Sequence, residues 1–167
     1  YGYVGPCRKE SIAEFFDGNE IDRGSRIWKL HNNTFEKDTV RAGIEKHYLD
    51  NAAALSMDDY LLYSGMVQSL MLEYSLEALR FKDFCGGALF WMYNATWCEV
   101  GWTIIDYYLR RKISFYGVKR AFAPIKLTLR MENGRARLQG CNDAAEDVVL
   151  KAKVGYVPFD GSEARTE

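Results

Sequence analysis

The chain has 167 residues, of which 48% are hydrophobic and 27% are charged, so it has enough apolar material for a core and lacks the composition of a disordered segment. This length predicts one domain or two small ones, and excludes a complete eight-fold β/α barrel, which needs roughly 250 residues. The net charge of -1 excludes a chain-wide electrostatic attraction to nucleic acid or to an anionic membrane.

The cysteine spacing and the hydropathy pattern exclude further classes of protein. The four cysteines (7, 85, 98 and 141) form no Cys-x-x-Cys pair and accompany no histidine cluster, which predicts neither a disulfide scaffold nor a metal site. This usage favours a reducing compartment, and hence a cytoplasmic location. No charged-then-apolar leader and no apolar run of about 18 residues is present, so we expect no signal peptide and no membrane partner. Because the chain begins Tyr1-Gly2-Tyr3 without Met, we expect a piece of a longer protein.

The first half of the chain is predicted to be mainly helical. Residues 10–16 favour a short helix, which the turn residues at 17–19 would end. A loop is expected up to about residue 36, followed by a second helix over 39–50. Ser56 precedes Met57-Asp58-Asp59 as a capping signal, and predicts the start of a long helix. The spacing of its apolar residues predicts one core-facing stripe, made of Tyr60, Tyr63, Val67, Leu70, Met71, Tyr74, Ala78 and Phe81.

The middle of the chain carries two apolar runs and a further helix. Residues 85–91, Cys-Gly-Gly-Ala-Leu-Phe-Trp, predict a parallel strand buried on both faces. A second apolar stretch covers 100–107, and residues 114–123 predict an amphipathic helix that Pro124 ends.

After Pro124 the pattern changes to period two. Alternation over 125–130 and 135–139, with the turn residues Glu132-Asn133-Gly134 between them, predicts a β-hairpin. Residues 148–154 predict a further strand. We therefore expect a boundary near Pro124, with an antiparallel β unit after it that is too short for a complete sandwich of roughly 100 residues.

A local excess of Lys and Arg runs from residue 106 to residue 137. A nucleic-acid site would need these cations on one face together with stacking aromatic rings. We favour a solvated helix and hairpin face, and expect no nucleic-acid partner.

Aromatic residues are concentrated between positions 90 and 108, where three Trp and four Tyr or Phe side chains accompany Asn94. Such a cluster suits sugar recognition, because the C–H face of a pyranose lies on an indole while amides and carboxylates bind its hydroxyls. The alternative is an aromatic-rich core layer, and composition alone favours that alternative.

The order of residues in this region resembles the C-terminal part of the β-mannosidase-like branch of glycoside hydrolase family 2. The similar motifs are Gly87-Ala88-Leu89-Phe90-Trp91-x-x-Asn94-x-x-Trp97, then Gly101-Trp102-Thr103-Ile104-Ile105-Asp106-Tyr107-Tyr108-x-Arg110-x-Lys112, then Tyr116-x-x-Lys119-Arg120-Ala121-x-Ala123-Pro124. Tyr1-Gly2 also resembles the segment that directly follows the family's nucleophilic Ser-Glu-aromatic-Gly motif.

The resemblance implies an α/β fragment. Residues 1–124 would be the last β/α units of a TIM (β/α)8 barrel, with strand eight ending at Trp91, and residues 125–167 would begin an immunoglobulin-like sandwich. It further implies that Trp91 lies under the sugar at the scissile bond, and that Asn94 and Trp97 belong to the substrate-binding loop that follows. The family commonly has Gln, Asp and Pro where this chain has Met92, Ala95 and Cys98.

The catalytic carboxylates of such an enzyme are expected outside the chain. Retaining glycosidases need two carboxyl groups about 5–5.5 Å apart. By the resemblance, the nucleophile would immediately precede Tyr1 and the acid/base would lie further upstream. The available carboxylates Glu10, Glu14, Glu99 and Asp106 match no catalytic motif, and we interpret Asp106 as a structural anchor. His31 and His47 lack metal-ligand spacing, so we expect no metal and no cofactor.

Two functions from different classes remain open on the sequence. The first is part of a retaining β-mannosidase-like glycosidase that is inactive as this segment alone, acts on a β-linked oligosaccharide or glycoside, and is completed by the remainder of its parent enzyme or by homo-oligomerisation. The second is a non-catalytic carbohydrate-binding or protein-interaction module. A catalytic Ser-Glu just upstream of Tyr1 would decide for the enzyme.

Overall fold

The structure is a computed structural model that describes residues 1–163, 165 and 166. Residues 164 and 167 of the predicted second unit lie outside the described residues. Helices dominate the first 121 residues: α1 (Lys9–Phe16), α2 (Arg26–His31), a π-helical turn (Glu36–Val40), α3 (Arg41–His47), a 3-10 turn (Ala52–Ala54), α4 (Met57–Arg80) and α5 (Ile113–Ala121). None of the described helices is long and apolar enough to cross a membrane.

Antiparallel strands follow Pro124, as the alternating pattern predicts. Strand β1 (Ile125–Glu132) pairs with β2 (Arg135–Asn142), and Glu132 lies opposite Arg135. The two-residue loop between them has positive φ at Asn133 (51°) and Gly134 (74°), which is the conformation that favours these two residue types in a tight hairpin. The short strands β3 (Gly155–Tyr156) and β4 (Arg165–Thr166) form a second antiparallel pair.

The long helix α4 is the organising element of the first unit. Its start is confirmed, since the Ser56 hydroxyl accepts a hydrogen bond from Asp59 N at 3.1 Å. Helix α5 packs along it at close range. A Cβ added to Gly65 would lie 2.8 Å from Ile113 Cδ1, so a larger residue there would require the Ile113 side chain to shift.

The predicted apolar stripe of α4 is only partly correct. Tyr60 and Val67 are buried, but Leu70 and Tyr74 are exposed, and the polar Ser64 and Gln68 are fully buried instead. The Gln68 amide donates to Tyr3 O at 2.9 Å, and its oxygen accepts from the Ser114 hydroxyl at 2.9 Å. The buried face of α4 therefore includes polar side chains that hydrogen-bond to buried groups of other segments. The spacing of apolar residues alone does not reveal these positions.

Two predicted strands are wrong. Residues 85–91 are extended but form only a single parallel bridge, Gly2 to Trp91, and Leu89 is 90% exposed. A parallel strand buried on both faces needs a neighbour at each edge and cover on each side, and among the described residues this segment has a neighbour on one edge only. Residues 148–154 are irregular, and the nearest strand is β3 at Gly155–Tyr156.

Two helix predictions also need correction. Helix α2 lies within the expected loop, where Ser25 caps it by accepting from Trp28 N at 3.1 Å. The predicted helix over residues 39–50 lies earlier and is divided: the π-helical turn covers Glu36–Val40, and α3 follows it and ends at His47.

The core is divided into two clusters. The larger one joins α1, α2, α3 and the first half of α4 around a set of fully buried side chains that includes Val4, Ile12, Phe16, Trp28, Ile44 and Val67. The smaller one lies between the second half of α4, α5 and the stretch before α5, and comprises Leu72, Leu76, Ile104, Val118 and Ala121.

The hairpin is tied to the helices through Arg80, the last residue of α4. Its guanidinium donates to Ala121 O at 2.7 Å and Ala123 O at 2.8 Å, and pairs with Asp143 at 2.7 Å. Cations of the basic stretch are also neutralised by acids of α4, for example Lys126 by Glu77 at 2.7 Å.

Candidate functional site

The three predicted sugar-binding residues lie on one exposed segment that crosses the edge of the helical unit. Trp91 is 61% exposed and Trp97 is 53% exposed, and Asn94 between them is exposed as well. Large apolar side chains that stay in solvent on a common segment are typical of a recognition surface and not of a core. Among the described residues, these three side chains lie outside both core clusters.

Trp91 is held by the first residues of the chain. Its amide donates to Tyr1 O at 2.6 Å, and it forms a parallel bridge with Gly2. A Cβ at position 2 would lie 2.6 Å from Trp91 O, so the absence of a side chain at Gly2 permits this approach. The Trp91–Met92 peptide bond is cis. The main chain thus fixes the base of Trp91 while its indole faces solvent.

Asn94 is positioned by a second run of main-chain bonds. Ile105 N donates to Tyr93 O at 3.0 Å and Ala95 N donates to Ile105 O at 3.3 Å, so Asn94 and Ile105 form a parallel bridge. The buried Ala95 anchors the segment on the inner side, and the Asn94 side chain is left on the outer side. This arrangement leaves an exposed amide between Trp91 and Trp97 along the chain.

Trp97 is held by a stack of rings. Its indole lies parallel to the His31 imidazole, with ring centroids 4.7 Å apart and an angle of 3°. The opposite face of His31 stacks on Phe15 at 4.2 Å. His31 Nδ1 also donates to Cys98 O at 2.5 Å.

Asp106 is a fully buried anchor, as its position within the aromatic motif suggested. One carboxylate oxygen accepts from Tyr108 N at 3.0 Å and from Arg110 N at 2.9 Å, and the other accepts from the Ser11 hydroxyl at 2.5 Å. These bonds close the 106–110 turn and tie it to α1. Since Ile105 pairs with the 93–95 main chain, Asp106 supports the candidate site from behind.

The other predicted carboxylates make contacts of their own. Glu10 pairs with Arg8 at 3.3 Å, and Glu14 pairs with Arg110 at 3.1 Å. Both pairs are exposed, and such pairs contribute little to stability.

Glu36 is a buried carboxylate that no sequence pattern singles out. It accepts from Trp28 Nε1 at 3.3 Å and from the Tyr60 hydroxyl. Burial, reinforced by the Glu36 charge, raises the pKa of Tyr60. Both donors of this carboxylate come from core residues, so the group stabilises the larger core cluster.

The Lys112 amine and the Cys7 thiol are both buried near the N-terminal segment of the chain. Lys112 Nζ donates to Gly5 O at 2.8 Å and Gly101 O at 3.2 Å, and burial lowers the pKa of this amine. Burial raises the pKa of the nearby Cys7 thiol to about 11. The thiol is therefore protonated at neutral pH and is a poor nucleophile.

Comparison with known sequences gives several similar proteins, all matched over the same share of this chain. β-Mannosidase B of Aspergillus flavus is 31% identical over 130 residues, which is 74% of this chain and 15% of the relative. β-Mannosidase B of Aspergillus clavatus is 32% identical over 127 residues, again 74% of this chain and 15% of the relative. No protein-family model matches the sequence.

Comparison with solved structures agrees. The β-D-mannosidase of Dictyoglomus thermophilum is 32% identical with a TM-score of 0.77, over 87% of this chain and 18% of that one. The resemblance to β-mannosidases of glycoside hydrolase family 2 is confirmed. An exo-chitosanase of Amycolatopsis orientalis, 18% identical, shares the fold with a TM-score of 0.63 over 80% of this chain and 17% of that one.

This chain spans about 15% of the length of the curated β-mannosidases that it matches. The sugar-binding roles of Trp91, Asn94 and Trp97 stay predictions. Sequence reasoning missed the contact of His31 with Trp97. The only local signal was the Ser25 cap three residues before Trp28, which predicts the helix that carries His31.

Proposed function

We propose that this chain is the C-terminal part of the catalytic domain of a retaining β-mannosidase-like glycosidase that hydrolyses terminal β-linked sugars. The observation that carries the proposal is the parallel bridge between Gly2 and Trp91. Tyr1-Gly2 resembles the segment that follows the family's nucleophile, and Trp91 resembles its sugar platform. The bridge brings these two elements side by side, as one catalytic centre requires.

The proposed barrel rests on the connection between the two bridged segments. Residues 1–2 and Trp91 are parallel neighbours, and the chain between them passes through helices α1 to α4. A helical crossover between adjacent parallel segments is the repeating unit of a β/α barrel. In this proposal, residues 1–2 directly follow strand seven. Residues 85–91 are extended but form no strand among the described residues, and they pair as strand eight when a strand from upstream lies at their other edge.

The proposed chemistry divides roles between this chain and the upstream part of the parent protein. The nucleophilic carboxylate and the acid/base come from upstream, and they act through a covalent glycosyl intermediate around an oxocarbenium-like transition state. The Trp91 indole packs against the apolar face of the sugar, and Asn94 offers an amide to its hydroxyls. Trp97 extends the apolar surface beside them.

The proposed second unit is the beginning of an immunoglobulin-like sandwich. The β1–β2 hairpin after Pro124 and the β3–β4 pair are antiparallel, as such a domain requires. Residues 125–167 form only part of it, so the remaining strands belong to the rest of the parent protein.

We predict that the purified 167-residue chain has no glycosidase activity, whereas the full-length protein hydrolyses 4-nitrophenyl β-mannoside. The reason is that the segment lacks both proposed catalytic carboxylates. The measurement is release of 4-nitrophenol by both proteins at matched concentrations. Turnover by the segment that disappears when Glu99 is replaced by glutamine would contradict the proposal, and an inert full-length protein would favour a non-catalytic module.

A second prediction concerns assembly. Leu89 and Phe84 are almost fully exposed, and the far edge of the 85–91 segment has no neighbour among the described residues. Open edges and exposed apolar groups favour association. We expect the isolated chain to form homo-oligomers at micromolar concentration in light scattering, and the full-length protein to bury the same residues within its own barrel. A monodisperse isolated monomer with a cooperative melt would show that the segment closes its own core.

A further inference from the structure

His31 lies at the end of a helix that is anchored in the core. Helix α2 ends at His31, and its position is fixed by Trp28, which is 2% exposed and donates to Glu36. The helix therefore places His31 from a rigid part of the core. A rigid support is the condition under which one side chain can orient another.

His31 makes three separate contacts with residues 97–100. Its imidazole stacks on the Trp97 indole, its Nδ1 donates to Cys98 O at 2.5 Å, and its main-chain oxygen accepts from Val100 N at 2.9 Å. The first contact sets the plane of the indole. The other two fix the main chain on its C-terminal side.

The imidazole is also covered on its other face. Phe15 of α1 covers its other face with centroids 4.2 Å apart and an angle of 14°. Phe15, His31 and Trp97 thus form a three-ring stack that starts on α1 and ends in solvent. Trp97 is 53% exposed at the open end, so one face of its indole is available to a ligand.

We propose that His31 is the positioning residue that holds the Trp97 indole as a platform for a sugar of the substrate. This inference rests on the proposed glycosidase function. His31 does not contact the substrate; it acts through Trp97. A sugar that stacks on Trp97 is oriented by the plane that His31 imposes, and small errors in such positioning reduce binding and rate.

The test is a double-mutant cycle in the full-length protein with 4-nitrophenyl β-mannoside. His31→Ala and Trp97→Ala are each expected to raise KM by roughly tenfold while changing kcat less. If His31 acts through Trp97, His31→Ala has no further effect once Trp97 is alanine. Additive losses, or an unchanged KM in an active His31→Ala enzyme, would overturn the proposal.

Two conservative variants separate positioning from folding. His31→Phe retains a ring that can stack, and His31→Asn retains a donor for Cys98 O, so the phenylalanine variant is expected to recover most of the KM. A purely structural role would lower the melting temperature and kcat at unchanged KM, and that outcome would contradict the proposal. His47→Ala, at the exposed end of α3, is the matched control and should behave as the wild type.

Failure of the two proposals can be distinguished. A full-length wild-type protein that is inert toward aryl β-mannosides and β-glucosaminides overturns the glycosidase function, and the sugar role of His31 with it. If the wild-type protein turns over the substrate normally and the His31 variants have the wild-type KM, only the positioning role is overturned.

Discussion

Replacing Trp91 by alanine in the full-length protein is expected to lower kcat/KM by roughly 100-fold while leaving the melting temperature nearly unchanged. Within this chain Trp91 is 61% exposed, so its side chain packs little against the described core. The main-chain bond from Trp91 N to Tyr1 O does not depend on the side chain. Steady-state kinetics and thermal melting of the same preparations give the two quantities.

Trp28→Ala is the matched contrast, because it removes the same side chain from a site that is 2% exposed. Here we expect a loss of about 3–5 kcal/mol in the free energy of unfolding, since a large cavity is left in the core. Activity per folded molecule should change much less than in Trp91→Ala. A Trp91→Ala protein that unfolds early, with normal kinetics per folded molecule, would show that Trp91 is a core residue.

Replacing Asp106 by alanine is expected to lower the free energy of unfolding by about 3–5 kcal/mol. The change leaves Tyr108 N, Arg110 N and the Ser11 hydroxyl without their acceptor in a fully buried site. Asp106→Asn should lose less, because its amide oxygen can still accept from the two main-chain donors. Urea denaturation of the full-length variants measures the difference.

Glu14→Ala is the matched control, because it removes a carboxylate near Asp106 from the surface instead of from the core. Glu14 pairs with Arg110 at the surface, with half of its side chain exposed, so its removal should cost below about 1 kcal/mol. Equal destabilisation by the Glu14 and Asp106 variants would contradict the view that the buried main-chain bonds of Asp106 hold the turn.

Sequence patterns correctly predicted the elements that depend on residues close to one another in the sequence. Ser56 caps α4, and the Asn133-Gly134 turn closes the β1–β2 hairpin, because each depends on a few neighbouring residues. Residues 85–91 failed as a strand, since a strand exists only where partners pair with it. Helix α2 was missed because six residues are too short to show a clear apolar period.

The sequence proposed residues for the candidate site but not the contacts that hold them. The resemblance pointed to Trp91, Asn94 and Trp97, and their exposure agrees with a recognition surface. The bond from His31 to Cys98 spans 67 positions in the sequence, and no local pattern encodes such a contact. Gln68 illustrates the same limit, since its buried amide serves main-chain groups of distant segments.

The contacts of Arg80 have a consequence for protein engineering. Its guanidinium binds carbonyls at the end of α5 and the Asp143 carboxylate after β2, so the chain is braced on both sides of Pro124. An insertion or a chimaeric junction at Pro124 would break this brace even though the position resembles a linker. Exchange of the following unit with that of a relative should therefore transfer Arg80 and Asp143 together.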